Sequence, residues 1–170
     1  ACVYIHMSRY TLIKRKLHFE HYKVKCSLGK RGISNKKREG DKCTPKGVFK
    51  FKEIYYRKDR IKNLKTNVKT YTIKKNMGWC NDTNSKKYNK LIKFPFKFSA
   101  EKLYLKKRNY DIIIVINYNL NPIKKNKGSA IFMHIATRNY KSTEGCVAVK
   151  EEDIRLIVSK LNKNSKISIY

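Results

Sequence analysis

The chain has 170 residues, of which 41% are hydrophobic, so it is long enough for one domain with its own core and too apolar for a disordered chain. It carries 42 Lys and Arg against 12 Asp and Glu, which gives a formal net charge of +30. Of the basic residues 33 are Lys, and the chain also contains 15 Asn and 18 Ile, a composition that AT-rich codons produce. Because this charge is spread along the chain and not clustered, we expect no nucleic-acid partner.

Alternation of apolar and polar residues dominates the first part of the chain, as is typical of half-buried strands. It predicts strands over residues 10–16, 22–26, 48–56 and 70–74. Residues 29–47 contain Gly32, Gly40 and Pro45 among charged residues and predict a long ordered loop. Residues 76–95 are rich in turn-forming residues, and no repeat or linker is visible.

The second part of the chain contains the only pattern of a long helix. Ser99 as a cap predicts a short helix after it. The β-branched run 112–116 predicts a strand buried on both faces, with residues 130–135 as its neighbour. Acidic residues followed by an apolar stripe predict a helix over 151–161, and a last strand follows at 167–169. The fold class is therefore mainly β, a single β-rich α+β domain with one principal helix near the C-terminus.

Two reactive side chains stand near the ends of adjacent predicted strands: His134 closes AIFMHI, and Cys146 lies in STEGCVAV. A cysteine attacks as the thiolate, which a neighbouring imidazole can generate. Gly145 lets a substrate approach the backbone, and amides around the nucleophile can form an oxyanion hole. Spacing alone leaves a second reading open, in which both residues are buried without chemistry.

Thr143, Gly145 and Cys146, with His134 upstream, resemble the active-site signature of the L,D-transpeptidase family, or YkuD domain, which usually reads His, a variable loop and Ser-x-Gly-Cys. KREGDKCTPKGVFKF, residues 37–51, resembles the amino-terminal segment of that family. Further similar motifs follow in the family's order: GWCND, Tyr88-Asn89, Ser99-Ala100-Glu101, GSAIFMHIA and TEGCVAV. The resemblance covers nearly the whole chain from about Arg9.

This resemblance implies a β-sandwich or barrel-like catalytic domain over residues 9–170, after a leader of uncertain role over residues 1–8. It implies that Cys146 attacks a peptidoglycan stem tetrapeptide, releases D-alanine and forms a thioester, which an amine of a second stem resolves into a cross-link. His134 would act as general base and acid. The amides of Gly145 and Cys146, with the Thr143 hydroxyl, would hold the oxyanion.

The family resemblance also sets the expected surroundings of the enzyme. It implies no metal and no organic cofactor, stem peptides as partners, and a role in peptidoglycan biosynthesis and cell shape. It places the protein in the bacterial periplasm or cell envelope. We expect a monomer without a transmembrane segment, since no stretch reaches the roughly 18 apolar residues that a membrane helix needs.

The sequence departs from the family signature in ways that concern the substrate. Ile135 follows the histidine where many members have Gly, and residues 147–149 replace a tail that usually carries Arg. Because a guanidinium pairs well with a carboxylate, Arg138 is the candidate replacement, with Arg31 and Arg57 as alternatives. The predicted substrate-binding residues are Arg138, Trp79, Tyr88 and Asn89.

Other interpretations of the chain remain open at this stage. Water in place of the amine would make it an L,D-carboxypeptidase or another murein amide hydrolase with the same Cys and His. Outside the enzymes, it would be a non-catalytic basic protein that binds nucleic acid or an anionic envelope polymer. Glu39 and Asp41 are predicted to hold a turn rather than to act as catalytic carboxylates. His18 and His21 would lie on opposite faces of a strand and predict no metal site.

Overall fold

The computed structural model describes residues 9–13, for which only the backbone is described, and residues 16–170. The described part is mainly β with one helix, which confirms the predicted fold class. Its elements are β1 (Arg9–Ile13), β2 (Lys16–Phe19), β3 (Tyr22–Lys25), β4 (Ile33–Ser34), β5 (Thr44–Pro45), β6 (Gly47–Tyr56), β7 (Thr70–Thr72), β8 (Met77–Cys80), β9 (Leu91–Lys93), β10 (Ala100–Lys102), β11 (Ile112–Ile116), β12 (Phe132–Ile135), β13 (Val147–Val149), α1 (Glu151–Lys160) and β14 (Lys166–Ile169).

The largest sheet is organised around β6 and β11. Strand β11 pairs antiparallel with β6 and with β12, and β12 pairs parallel with β13. On its other side β6 pairs with β14, beyond which β1, β2 and β3 follow in that order, while β7 pairs with the second half of β6. The predicted leader, residues 1–8, and residues 14–15 of the first predicted strand lie outside the described residues.

Strand β11 is buried on both faces, as its β-branched run predicts. Ile112, Ile114 and Ile116 belong to one apolar cluster, and Ile113 and Val115 belong to a second one on the opposite face. The first cluster includes the buried stripe of α1, which consists of Ile154, Ile157 and Val158. The second cluster lies beside the candidate active site and includes Trp79, Phe132 and Cys146.

A smaller sheet contradicts two of the sequence predictions. The turn-rich region 76–95 contains β8 and β9, and the short helix predicted after Ser99 is wrong because residues 100–102 form β10. Strand β8 is central here, since Trp79 is paired with Glu101 of β10 and with Leu91 of β9. Pairing with a distant strand outweighs the local helix signal. The predicted loop 29–47 likewise contains the short paired strands β4 and β5.

Replacement of Ile114 by Ala is expected to destabilise the fold by about 2 to 5 kcal/mol, because it leaves a cavity in the first apolar cluster, where the side chain has no exposure. Urea unfolding followed by circular dichroism measures this change. Val48→Ala serves as the control, since Val48 is 48% exposed and its truncation should cost less than about 0.5 kcal/mol. Equal costs for the two variants would contradict the assigned burial.

Within the described residues, no helix has the length and the apolar character that a membrane crossing requires.

Candidate active site

Cys146 lies at the entrance of β13, in hydrogen-bonding contact with the chain that leads into β12. Its Sγ donates to the carbonyl of Ala130 at 3.2 Å and accepts from the amide of Phe132 at 3.4 Å. The residue is 8% exposed and belongs to the same apolar cluster as Phe132. The thiol is therefore fixed by backbone groups of the neighbouring strand and not by a side-chain partner.

His134 lies on β12, two residues beyond Phe132 and therefore on the same face of the strand. Its ring meets Tyr110 edge to face at 5.2 Å between centroids, and Tyr110 packs against the cluster that contains Cys146. The Nδ1 atom is 3.0 Å from the carbonyl of Ile135. Because a carbonyl can only accept, Nδ1 carries the proton and Nε2 keeps a free lone pair.

Both side chains are uncharged at neutral pH. Burial raises the pKa of the Cys146 thiol to about 12, and the nearby carboxylate of Glu101 adds to this effect. Burial also lowers the pKa of His134 to about 4, although its hydrogen bond to Ile135 opposes the change. The resting thiol and the resting imidazole are thus both neutral.

A short hydrogen-bonded turn precedes the cysteine. The hydroxyl of Thr143 donates to the carbonyl of Cys146 at 2.6 Å and accepts from the amide of Gly145 at 3.1 Å. The backbone of Thr143 is held by Leu28 and Lys30, whose carbonyl and amide bond to it at 2.8 Å. In the resting state these groups hold the turn, and their predicted role at an oxyanion stays a prediction.

Cys146 and His134 line one cleft of about 680 Å³. The predicted residues Thr143 and Gly145 also line it. Its charged lining residues are of both signs, namely Lys37, Lys102, Lys107 and Lys141 together with Glu39, Glu101 and Glu144. A cleft with both signs of charge suits a zwitterionic peptide better than a uniformly anionic polymer.

Two glutamates stand in this cleft with their own hydrogen-bond donors. Glu101 accepts from the hydroxyl of Tyr110 at 2.5 Å, and burial raises the pKa of Glu101 to about 7, opposed by that hydrogen bond and aided by Glu39. Glu39 accepts from Ser129 at 2.6 Å and from Tyr88 at 2.7 Å. The Glu39 carboxylate thus ties the loop 37–41 to the segment that leads into β12.

Lys37 is the buried cation of the cleft. Its side chain is 4% exposed, and its Nζ donates to Asp41 at 2.6 Å and to the carbonyl of Arg38 at 3.4 Å. Burial opposes the ionisation of Asp41, but hydrogen bonds from Lys37 and from the amides of Arg38 and Cys43 outweigh it and lower the pKa of Asp41. Asp41 accepts these two amides at 2.7 and 2.9 Å, which agrees with its predicted role in a turn.

The predicted substrate-binding residues lie beside the cleft and not on its wall. The indole of Trp79 donates to Asn89 at 2.9 Å within the core, and Tyr88 is 2% exposed. Arg138 is exposed in the loop after β12. Arg57, the alternative cation, is engaged by both oxygens of Asp59, by the carbonyl of Leu105 and by the ring of Tyr104. Direct contact of these residues with a substrate stays a prediction.

Asn89 has a structural task that connects it to the cysteine. Its Oδ1 accepts from Trp79 at 2.9 Å and from the amide of Ala130 at 3.0 Å, and its Nδ2 donates to the carbonyl of Asn119 at 2.7 Å. Ala130 is also the residue whose carbonyl accepts from Cys146. The side chain of Asn89 therefore positions the backbone that holds the thiol.

Asn89→Ala is expected to destabilise the protein by about 2 to 4 kcal/mol, because it leaves two buried donors unpaired. Thermal or urea unfolding measures the loss. Asn84→Ala, at an exposed asparagine of the same segment, is the matched control and should change stability by less than about 0.5 kcal/mol. A near-neutral Asn89→Ala would show that these hydrogen bonds are dispensable.

The sequence interpretation missed three groups of this cleft: Lys37, Glu101 and Tyr110. Lys37 and Glu101 lie inside motifs that carry the family resemblance. The motifs could be recognised from the sequence, but the contacts of these two side chains could not. Tyr110 precedes the buried run of β11 and carries no local signal. Its position emerges only when β11 is paired with β12.

Metal ligation has no support among the described residues, where no three His, Cys, Asp or Glu side chains are grouped to hold an ion. His18 lies on β2 and His21 in the turn that follows it. 

The comparisons with known proteins agree with the geometry of the cleft. No curated protein matches the chain. The model of the YkuD family, described as the L,D-transpeptidase catalytic domain, matches residues 2–169. That match spans the cleft, the described strands and the helix, and it includes Cys146 and His134. The chain therefore belongs to the YkuD family of L,D-transpeptidase catalytic domains.

Proposed function

We propose that the protein is a peptidoglycan L,D-transpeptidase that acts on stem tetrapeptides through a thioester on Cys146. The observation that carries this proposal is the shared cleft of Cys146 and His134, in which Nε2 of the imidazole keeps its lone pair. Membership of an enzymatic family supports the reaction class. The proposed site of action is the bacterial cell envelope, where the substrate lies, and the proposed catalytic domain covers residues 9–170 as a monomer.

In the first half-reaction the thiol proton moves to Nε2 of His134 while Sγ bonds to the carbonyl carbon between the diamino acid and the terminal D-alanine. The amide of Cys146 is the proposed donor to the oxyanion. The amide of Gly145 would join it if its hydrogen bond to the Thr143 hydroxyl opens, and that hydroxyl would join if its own hydrogen bond to the Cys146 carbonyl opens. The carbon–nitrogen bond then breaks, and the imidazolium protonates the leaving amine. D-Alanine departs, and an acyl group remains on sulfur.

In the second half-reaction an amine of another stem peptide attacks the thioester carbon. The amine loses a proton to Nε2, the carbon–sulfur bond breaks, and the sulfur takes the proton back. The product is a cross-link, and the enzyme regains its neutral pair. When water is the nucleophile instead, the same steps give a free tripeptide, which is the carboxypeptidase reaction.

Mass spectrometry of the protein with a muropeptide tetrapeptide tests the proposal. The expected results are an acyl adduct on Cys146, release of D-alanine, and a cross-linked dimer when excess acceptor stem is present. A tetrapeptide ending in L-alanine is the matched control and should give neither adduct nor release. Tripeptide without dimer would assign the hydrolase instead, and the absence of both adduct and D-alanine would overturn the proposed function.

A further inference from the structure

Lys37 lies beside Gly145, the residue that precedes the proposed nucleophile. Gly145 has a φ of +142°, and a Cβ there would stand 2.8 Å from the carbonyl oxygen of Cys43. The Nζ of Lys37 lies 3.5 Å from the same point. The ammonium therefore lies next to the turn immediately before Cys146, where Cδ1 of Ile131 also approaches, at 3.3 Å from the same point.

The ammonium is held in place from two sides. Its aliphatic stem passes over Gly128, where an added Cβ would stand 2.9 Å from Cε. At the other end, Asp41 accepts from Nζ at 2.6 Å and is itself fixed by the amides of Arg38 and Cys43. The lysine side chain is 4% exposed, so its rotamer freedom is restricted and its charge keeps a fixed position.

Besides burial, three groups act on a charge at the Cys146 sulfur. The carboxylate of Glu101 disfavours a negative charge on Sγ, whereas the hydrogen bond from the Phe132 amide favours it and the ammonium of Lys37 favours it to a smaller extent. Buried charges are screened far less by water and salt than exposed ones. The three other lysines that line the cleft, Lys102, Lys107 and Lys141, are exposed, which leaves Lys37 as the fixed positive charge among its described lining residues.

We propose that Lys37, seated by Asp41 beneath Gly145, is a positioning residue that supplies the positive charge needed when the Cys146 sulfur becomes anionic. The inference rests on the proposed nucleophile Cys146, but it does not depend on the identity of the acceptor. The proposed role of Lys37 is electrostatic and needs no proton transfer to or from its ammonium.

The alkylation rate of Cys146 tests this proposal without any substrate. Iodoacetamide is uncharged and reacts with the thiolate, so its rate at pH 8 follows the ionised fraction of the thiol. Trypsin releases Cys146 in the peptide STEGCVAVK, residues 142–150, which contains no other cysteine, so mass spectrometry can follow this site alone. Release of D-alanine, measured separately, reports on the proposed function.

Lys37→Met is expected to slow alkylation of Cys146 at least about threefold. Loss of a neighbouring opposite charge raises a thiol pKa by about one unit or more, and the greater nucleophilicity of the more basic thiolate offsets part of the loss. Lys37→Arg should keep a rate within about twofold of wild type. Lys36→Met removes the same charge from the adjacent exposed lysine and should leave the rate unchanged, at low and at high salt.

Two further variants keep the test decisive if Lys37→Met does not fold. The double variant Lys37→Met/Asp41→Asn removes the ion pair without leaving a buried charge, and it should show the same slowing. Glu101→Gln removes the opposing charge and should speed alkylation by about threefold. Wild-type rates in folded Lys37 variants, or equal slowing in Lys37→Arg and Lys37→Met, would overturn the proposal. Normal alkylation without D-alanine release would instead overturn the proposed function.

Discussion

Cys146→Ala is expected to abolish the acyl adduct and to lower D-alanine release by a factor of about 10⁴ or more, because no other described group of the cleft forms a thioester. The chain offers its own internal controls, since Cys43 and Cys80 are also thiols and do not line the cleft. Cys80→Ala, which removes a fully buried thiol outside the cleft, should retain D-alanine release.

The measurement combines intact-protein mass spectrometry with quantification of free D-alanine. Circular dichroism and unfolding should show that Cys146→Ala keeps the fold, with a stability change of about 1 kcal/mol, because the lost contacts are two weak hydrogen bonds to sulfur. A folded Cys146→Ala protein that still releases D-alanine would assign the nucleophile elsewhere. An adduct on Cys43 would do the same.

His134→Gln is expected to slow thioester formation about 10²- to 10⁴-fold, the range in which a positioned general base contributes. The carboxamide of Gln fills a similar space and can donate to the Ile135 carbonyl, but it cannot accept the thiol proton. Single-turnover kinetics of adduct formation on Cys146 measure the effect. A rate within a few-fold of wild type would exclude His134 as the base.

The pH dependence gives an independent check on His134. Burial lowers the pKa of His134 to about 4, so the neutral base persists to mildly acidic pH, and the acidic limb of thioester formation should lie near pH 4 and not near 6.5. The same shift means that the unfolded state binds the proton first. The contribution of neutral His134 to the free energy of unfolding is therefore fully present above pH 6.5 and declines as the pH drops toward 4. His134→Gln should weaken this decline.

The sequence allowed prediction of the elements whose signal is local. The run 112–116 has β-branched residues at every position, so its two-sided burial in β11 follows from composition. The helix near residue 151 has both an acidic first turn and an apolar stripe. Strands β8 and β10 are only three or four residues long, and their pairing partners lie far along the chain, so no local pattern identified them.

The residues of the candidate site likewise fall into those that the sequence predicts and those that only the structure reveals. Cys146 and His134 were predictable because a thiol and an imidazole stand out in any sequence and lie within a motif. Lys37 was not, because one lysine among 33 looks like the rest until its burial and its ion pair with Asp41 distinguish it. Trp79 and Asn89 were placed at the cleft by resemblance, and they lie behind it because the indole packs on Phe132 and needs a buried acceptor.

The hydrogen bond from Cys146 to the carbonyl of Ala130 bears on how this protein withstands oxidants. Peroxides and disulfides react with thiolates, and a buried thiol whose pKa is near 12 holds its proton throughout the physiological range. Sulfenic acid and mixed disulfides should therefore form slowly at this position in the resting enzyme. The burial that keeps the proton on the sulfur would thus preserve the proposed nucleophile while no substrate is bound.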